Sequence, residues 1–307
     1  QYWEDYEKAF EHFESSQKLA ERIYGIGHPR TAKVLNYLGV AEQWRGNLTQ
    51  ATEVLNQCLS IYRAAGLSLT QQEVIDVNQD LASVEWQAGM IPEALKHADA
   101  SVEGGEERMW SQLAGLSEFE RLALAKYQNS KISLLLSITS QRDEDLLRQY
   151  QALLRWKGQV SRSLSASQRR LNPKAQAVYD EMKTLDGLLW QSIFGQGNAN
   201  EAKQISSKYN ALQRQFLQLT ETGKPQSATF QEVANALTPG TVAIDFYAYP
   251  PYKKTRIGSS PWGEDELVAW VFKSDASAPI RVDLGPVAPL QEEVEKYLDY
   301  LVPNRGG

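Results

Sequence analysis

The chain has a single cysteine, Cys58, and only three histidines and three methionines in 307 residues. One thiol excludes an internal disulfide and any multi-thiolate metal site. His12, His28 and His97 have no second histidine, cysteine or carboxylate at metal-ligand spacing, so neither a metal nor a cofactor is expected. No apolar run approaches the ~18 to 20 residues of a membrane span. The opening "QYWEDYEKAF" lacks the basic start and apolar core of a secretory segment. Lys and Arg together number 32 against 38 Asp and Glu, a formal net charge of −6, which gives no positive footprint for nucleic acid or an anionic membrane. A cytoplasmic, reducing setting and a protein or peptide partner are the expectations that remain. G-x-S-x-G, G-x-x-x-x-G-K-[ST], H-E-x-x-H and G-x-G-x-x-G are all missing.

What the chain does have is internal repetition. "DYEKAFEHF", "NLTQATEVL" and "MIPEALKHA" align so that Ala9, Ala51 and Ala94 fall in register at intervals of 42 and 43 residues. Asn36 aligns with Asn78, and Trp44 with Trp86. Each unit reads as a helix pair. Leu35, Leu38 and Gly39, then Leu48, Ala51, Leu55 and Cys58, follow the three-and-four spacing of an apolar stripe, and Gly39 and Ala51 let two helices approach closely. This pattern resembles the tetratricopeptide repeat, in the form of roughly 42 residues seen in kinesin light chains, where G-x-H-P also precedes the first helix.

"GIGHPR" could be mistaken for a catalytic or phosphate loop. Pro29 suits a first helical turn, where its missing N–H is unpaired anyway, and the residue before it is held extended. His28 is therefore read as a helix-start residue, and Cys58 as a small core residue rather than a reactive thiol. Tyr6, Ala9 and Phe13 read as the second helix of a unit whose first helix would precede Gln1.

Beyond about Glu106 the period fades while helical patterning continues. "SEFERLALAKYQ" opens with Ser117 and Glu120 at capping-box spacing. Further helices are expected over about 143–164, from Asn172-Pro173, and from about Asn200. At Pro239-Gly240 the period switches to two. Val242, Ile244 and Phe246 form the apolar alternation of one strand, "ELVAWVFK" is apolar on both alternations, and "IRVDLG" makes a third strand. A helix over Pro289–Leu301 follows. One helix cannot cover both faces of such a sheet, so Leu267, Val268, Trp270, Val271 and Phe272 are expected to lack full cover.

The succession "RWKG", "ATFQEVANALTPGTVAIDFYAY", "ELVAWVF" and "IRVDLGPVAPLQEEV" resembles the helical lead-in and first strands of the CHAT family, caspase-like domains found behind tetratricopeptide repeats. The resemblance implies a cysteine-protease parent with a His–Cys pair on strand ends after the third strand, beyond this chain, and so no catalytic residue within it. The expected fold is mainly α: a tetratricopeptide-repeat α-solenoid over residues 1–105, a helical connecting region over 106–237, and the first strands of a caspase-like α/β domain over 238–307. Two functions follow, the regulatory, protein-binding portion of such a protease or a non-enzymatic adaptor. The repeat register places Lys33, Asn36, Val40 and Gln43 on one unit, and Ile75, Asn78, Ala82 and Glu85 on the next, along a concave groove for an extended peptide. The missing C-terminal half of the protease domain is a second possible partner.

Overall fold

Glycine and proline set the ends of the first helices. A computed structural model of the chain describes residues 2–113, 129–140, 142–166, 173–194, 199–219, 228–253 and 260–301. Helix α1 spans Tyr2–Tyr24, α2 Pro29–Arg45, α3 Leu48–Ala64, α4 Gln72–Gln87 and α5 Ile91–Leu113. Each packs on the next in sequence, as stacked helix pairs do. Gly46 (φ 84°) and Gly89 (φ 80°) turn the chain at equivalent points of successive units, in the left-handed region that only glycine enters without strain. The helix-pair solenoid expected from the period is present.

The close approach expected at Gly39 is also present. A Cβ built there meets Leu55 Cγ at 2.6 Å, and Leu55 is fully buried. Gly104 on α5 is tighter still, since a Cβ would lie 2.3 Å from the Leu69 carbonyl oxygen. Hydrogen is the only substituent that fits.

The later helices are α6 (described over residues 129–138), α7 (Leu146–Ala166, entered through a 3₁₀ turn at Asp143–Asp145), α8 (Pro173–Phe194), α9 (Ala199–Leu219) and the short α10 (Phe230–Asn235). Thr229 and Glu232 cap α10 reciprocally. The expected Ser117–Glu120 capping box lies outside the described residues. Helices α8 and α9 pair along Val178, Met182, Leu185, Tyr209 and Phe216. Leu189 and Ala202 carry this pair into the core of the first repeats, and Ser206 Oγ donates to the Gly66 carbonyl at 2.9 Å.

Strands β1 (Val242–Tyr249), β2 (Glu266–Lys273) and β3 (Ile280–Pro286) form one antiparallel sheet in the order β1-β2-β3. Helix α11 (Val287–Leu301) follows β3 directly. The inner face of the sheet shares one core with α4, α5, α6, α7 and α10, in which Ala82, Met109, Ile132, Trp156, Phe230 and Trp270 are all buried. This core draws on all three segments delimited above.

Two expectations about the sheet are corrected. Val242, Ile244 and Phe246 do not face the core; they are 60%, 55% and 54% exposed. The other alternation faces the helices, because a paired polar group can be placed there: Asp245 accepts from Lys157 Nζ at 2.5 Å and from the Tyr150 hydroxyl at 3.2 Å. Tyr247 and Tyr249 supply bulk beside it, and Tyr249 is 2% exposed. Accordingly Val268, Trp270 and Phe272 are buried against helices, while Leu267 and Val271, on the other face of β2, are half-buried. The uncovered face is the opposite one.

Candidate functional site

The surface to which the repeats point is the facing side of α2 and α4, and local sequence fixes how it is presented. His28 caps α2: its backbone is extended (φ −88°, ψ 140°), and Nδ1 accepts the Arg30 N–H at 3.1 Å, with Pro29 at the first helical position. Burial, then the nearby Arg30 charge, lowers the His28 pKa, consistent with a neutral, accepting imidazole. Cys58 is buried, with Sγ donating to the Ala32 carbonyl at 3.0 Å. Desolvation pushes its pKa far upward, the reverse of what activates a thiol.

The proposed groove residues separate into two groups. Lys33, Asn36 and Val40 are half-buried along α2, near exposed Tyr37. Gln43, Ile75, Asn78, Ala82 and Glu85 are buried. Asn36 Nδ2 donates to Asp80 Oδ2 at 2.7 Å, and Gln43 Nε2 to Ser83 Oγ at 2.9 Å, so these two pairs tie α2 to α4. Asn78 Nδ2 bonds back to the Val74 carbonyl at 2.7 Å, while its Oδ1 is buried without a partner. Glu85 Oε2 lies 2.7 Å from His97 Nδ1, joining α4 to α5. The asparagine repeat therefore serves two purposes, a half-exposed amide that ties α2 to α4 in one unit and a buried amide bonded back to its own helix in the next.

The chain's own later segments fill much of the rest. On α6, Lys131 Nζ lies 3.4 Å from Asp76. The Tyr252 hydroxyl reaches Gln43 Nε2 at 3.4 Å, its ring lies 6.1 Å from that of Trp86, and its backbone N–H donates to Ser137 Oγ at 2.8 Å. An isolated bridge to Trp262 and a T-shaped ring contact at 5.0 Å hold Tyr252 in this position. The loop "YPPYKKTRIGSSPWGED" thus inserts an aromatic between repeats and sheet. Sequence reasoning passed over Tyr252, Asp76, Asp80 and Lys131. For the carboxylates the available signal was their spacing on α4, which puts Asp76 and Asp80 one helical turn apart on one face.

These carboxylates make the surface electrostatically uneven. Burial, above the opposing bond from Asn36, raises the Asp80 pKa to about 6, and Asp76 adds to the rise while Lys131 opposes it. Burial lowers the Lys131 pKa against the pull of Asp76.

Beside Tyr252 a cleft of ≈ 620 Å³ opens between repeats and sheet, lined by Trp86, Ser137, Arg142, Tyr249 and Arg281 among others. Its cations are committed to structure. Arg281 bonds the Leu136 carbonyl (3.2 Å), Gln149 Oε1 (2.9 Å), the Tyr249 hydroxyl (2.7 Å) and Asp283 (2.9 Å). Arg142 is held by Asp145 at 2.6 Å and Glu144 at 2.7 Å. Among the described residues no group of three or more His, Cys, Asp or Glu could hold a metal ion, and no described helix is long and apolar enough to cross a membrane. The arrangement can bind a chain or segment through amides, aromatics and paired charges.

Residues 4–64 match the tetratricopeptide repeat family. No curated protein matches the chain. Repeats of this family bind protein or peptide partners, and this chain carries them.

Proposed function

We propose that the chain is the partner-binding, regulatory portion of a caspase-like cysteine protease of the CHAT type, whose His–Cys pair stands outside these 307 residues. The observation that carries the reading is the continuous connection from groove to sheet. Asn36 and Gln43 on the repeats meet Asp80 and Ser83, Gln43 meets Tyr252, and Tyr252 leads through the bridge to Trp262 into β2. A peptide that engages Lys33, Asn36 and Val40 therefore competes or cooperates with contacts that reach the sheet. An amide at such a surface, as half-exposed Asn36 presents, can donate to and accept from an extended backbone. No residue here takes a catalytic role, and the buried Cys58 thiol is unsuited to one.

A second reading, a non-enzymatic adaptor, needs only the matched repeats. The two separate by labelling the intact gene product with a thiol-reactive peptide probe. Labelling of a cysteine other than Cys58 that depends on a partner at the Asn36 surface supports the protease reading. Partner binding that Asn36→Ala weakens, with no labelled cysteine, assigns the chain to the adaptors.

A further inference from the structure

Tyr252 sits on the repeats in the way a bound peptide would. Pro250 and Pro251 fix two successive φ angles at roughly −65° and keep the residues before them extended. The segment from Tyr249 therefore arrives pre-straightened, at little entropic cost, as proline-rich ligands do. Its end then contacts three helices. The Tyr252 hydroxyl lies 3.4 Å from Gln43 Nε2 on α2, the ring is 6.1 Å from that of Trp86 on α4, and the backbone N–H donates to Ser137 Oγ on α6 at 2.8 Å.

The pocket under the ring is built for a neutral hydroxyl. Gln43 and Ser83, joined at 2.9 Å, are both buried, whereas Tyr252 above them is half-buried. Burial raises the Tyr252 pKa against side-chain hydrogen bonds from Ser83, Gln43 and Gln87. A buried amide and hydroxyl of this kind reject an occupant that leaves them unpaired. The occupant itself is held loosely. At 3.4 Å the contact to Gln43 is near the outer limit of a hydrogen bond, and the cleft of ≈ 620 Å³ opens beside the ring. The segment is also paired with its own return arm: the Lys253 N–H donates to the Pro261 carbonyl at 2.6 Å, and the Gly263 N–H to the Pro251 carbonyl at 2.8 Å. Residues 251–253 and 261–263 thus form a strap that can lift without breaking its internal bonds.

We propose that this pocket is a tyrosine-reading subsite of the repeat surface, which Tyr252 occupies as an internal stand-in and which takes an extended partner segment bearing a tyrosine directly after proline. The partner's hydroxyl replaces that of Tyr252 on Gln43, its ring takes the place beside Trp86, and its backbone N–H takes Ser137. The inference rests on the partner-binding part of the proposed function and needs no protease. Because the stand-in is tethered, it competes at an effective concentration on the order of millimolar. The unaltered chain therefore binds such a segment weakly, and loss of the stand-in strengthens binding.

Fluorescence anisotropy of the full chain tests this with a labelled synthetic peptide of the sequence of residues 248–253, Ala-Tyr-Pro-Pro-Tyr-Lys. Tyr252→Ala should bind the peptide about tenfold or more tightly than wild type does. Adding Gln43→Leu to that variant, or replacing the tyrosine after the prolines in the peptide by alanine, should each weaken binding by a similar factor, with far-UV circular dichroism unchanged. No saturable binding to Tyr252→Ala up to about 1 mM, equal affinity for wild type and variant, or indifference to the peptide's tyrosine overturns the proposal. If Tyr252→Ala loses its circular dichroism, Trp262→Ala, which loosens the strap from the return arm and leaves the pocket whole, replaces it with the same expected outcomes. If Gln43→Leu unfolds, the altered peptide decides alone. A negative result leaves the proposed function to its thiol-labelling test, which reads a cysteine and the Asn36 surface rather than this pocket.

Discussion

Replacing Asp80 with asparagine removes a charge and keeps the acceptor that Asn36 uses. A carboxyl whose pKa rises on folding holds its proton more tightly in the folded chain. Its contribution to stability is fully present below the unfolded value near ~3.9 and is lost as the pH rises through about 6. At neutral pH the folded protein thus carries an ionised carboxylate that it would hold better protonated. A rise of about two units, at ~1.4 kcal/mol each, bounds the effect near 3 kcal/mol. Asp80 is only half-buried by surface area, so solvent screening reduces this to about 1–2 kcal/mol. The bound already includes the attraction of Lys131 and the bond from Asn36, since both shaped the pKa. Urea unfolding of wild type and Asp80→Asn at pH 7.5 and pH 4.5 reads the effect as midpoint shifts. The variant should be more stable by about 1–2 kcal/mol at pH 7.5, with most of that gain gone at pH 4.5, where wild-type Asp80 is protonated. Equal gains at both pH values, or a loss at pH 7.5, would refute the burial argument.

Gly104→Ala forces a methyl against the Leu69 carbonyl and should cost about 1–3 kcal/mol despite the better helix propensity of alanine. Gly187→Ala on α8 meets nothing within 4 Å and should gain up to ~1 kcal/mol; thermal melts that rank the two alike contradict the close-packing account. Cys58 should ignore a disulfide reagent at pH 8 in the folded protein and react once denaturant is added, and rapid native labelling shows the thiol to be accessible. Trp270, fully buried, lies in β2, so amide exchange there should be as slow as in α4, with the edge strands β1 and β3 faster. Early exchange at Trp270 would mean the shared core is not closed.

The sequence made some elements plain and left others hidden, for identifiable reasons. The helix pairs were legible because Ala51, Leu55, Cys58 and their counterparts repeat a packing solution, and His28-Pro29 is a local signal for a local event. The three strands were visible in their period. Which face of β1 is buried was not visible, because the choice rests on Lys157 and Tyr150 reaching Asp245 from a helix 88 and 95 residues away. The burial of the expected groove residues was half legible. Identical register gave Asn36 and Asn78 the same expected role, but the packing of α5 and α6 onto α4 buries only the second. Tyr252 gave no sign at all, since an aromatic in a proline-rich loop carries no periodicity to read.

The placement of Tyr252 also sets an order of events during synthesis. The α4 surface that Tyr252 and α6 cover leaves the ribosome long before Tyr252 does. At about 5 to 20 residues per second the delay is on the order of ten seconds or more. Helix pairs close through local contacts in far less time, so a nascent repeat surface stands formed and bare while its own later chain is still being made. For that interval any protein that recognises Gln43 and Trp86 meets no competition from Tyr252.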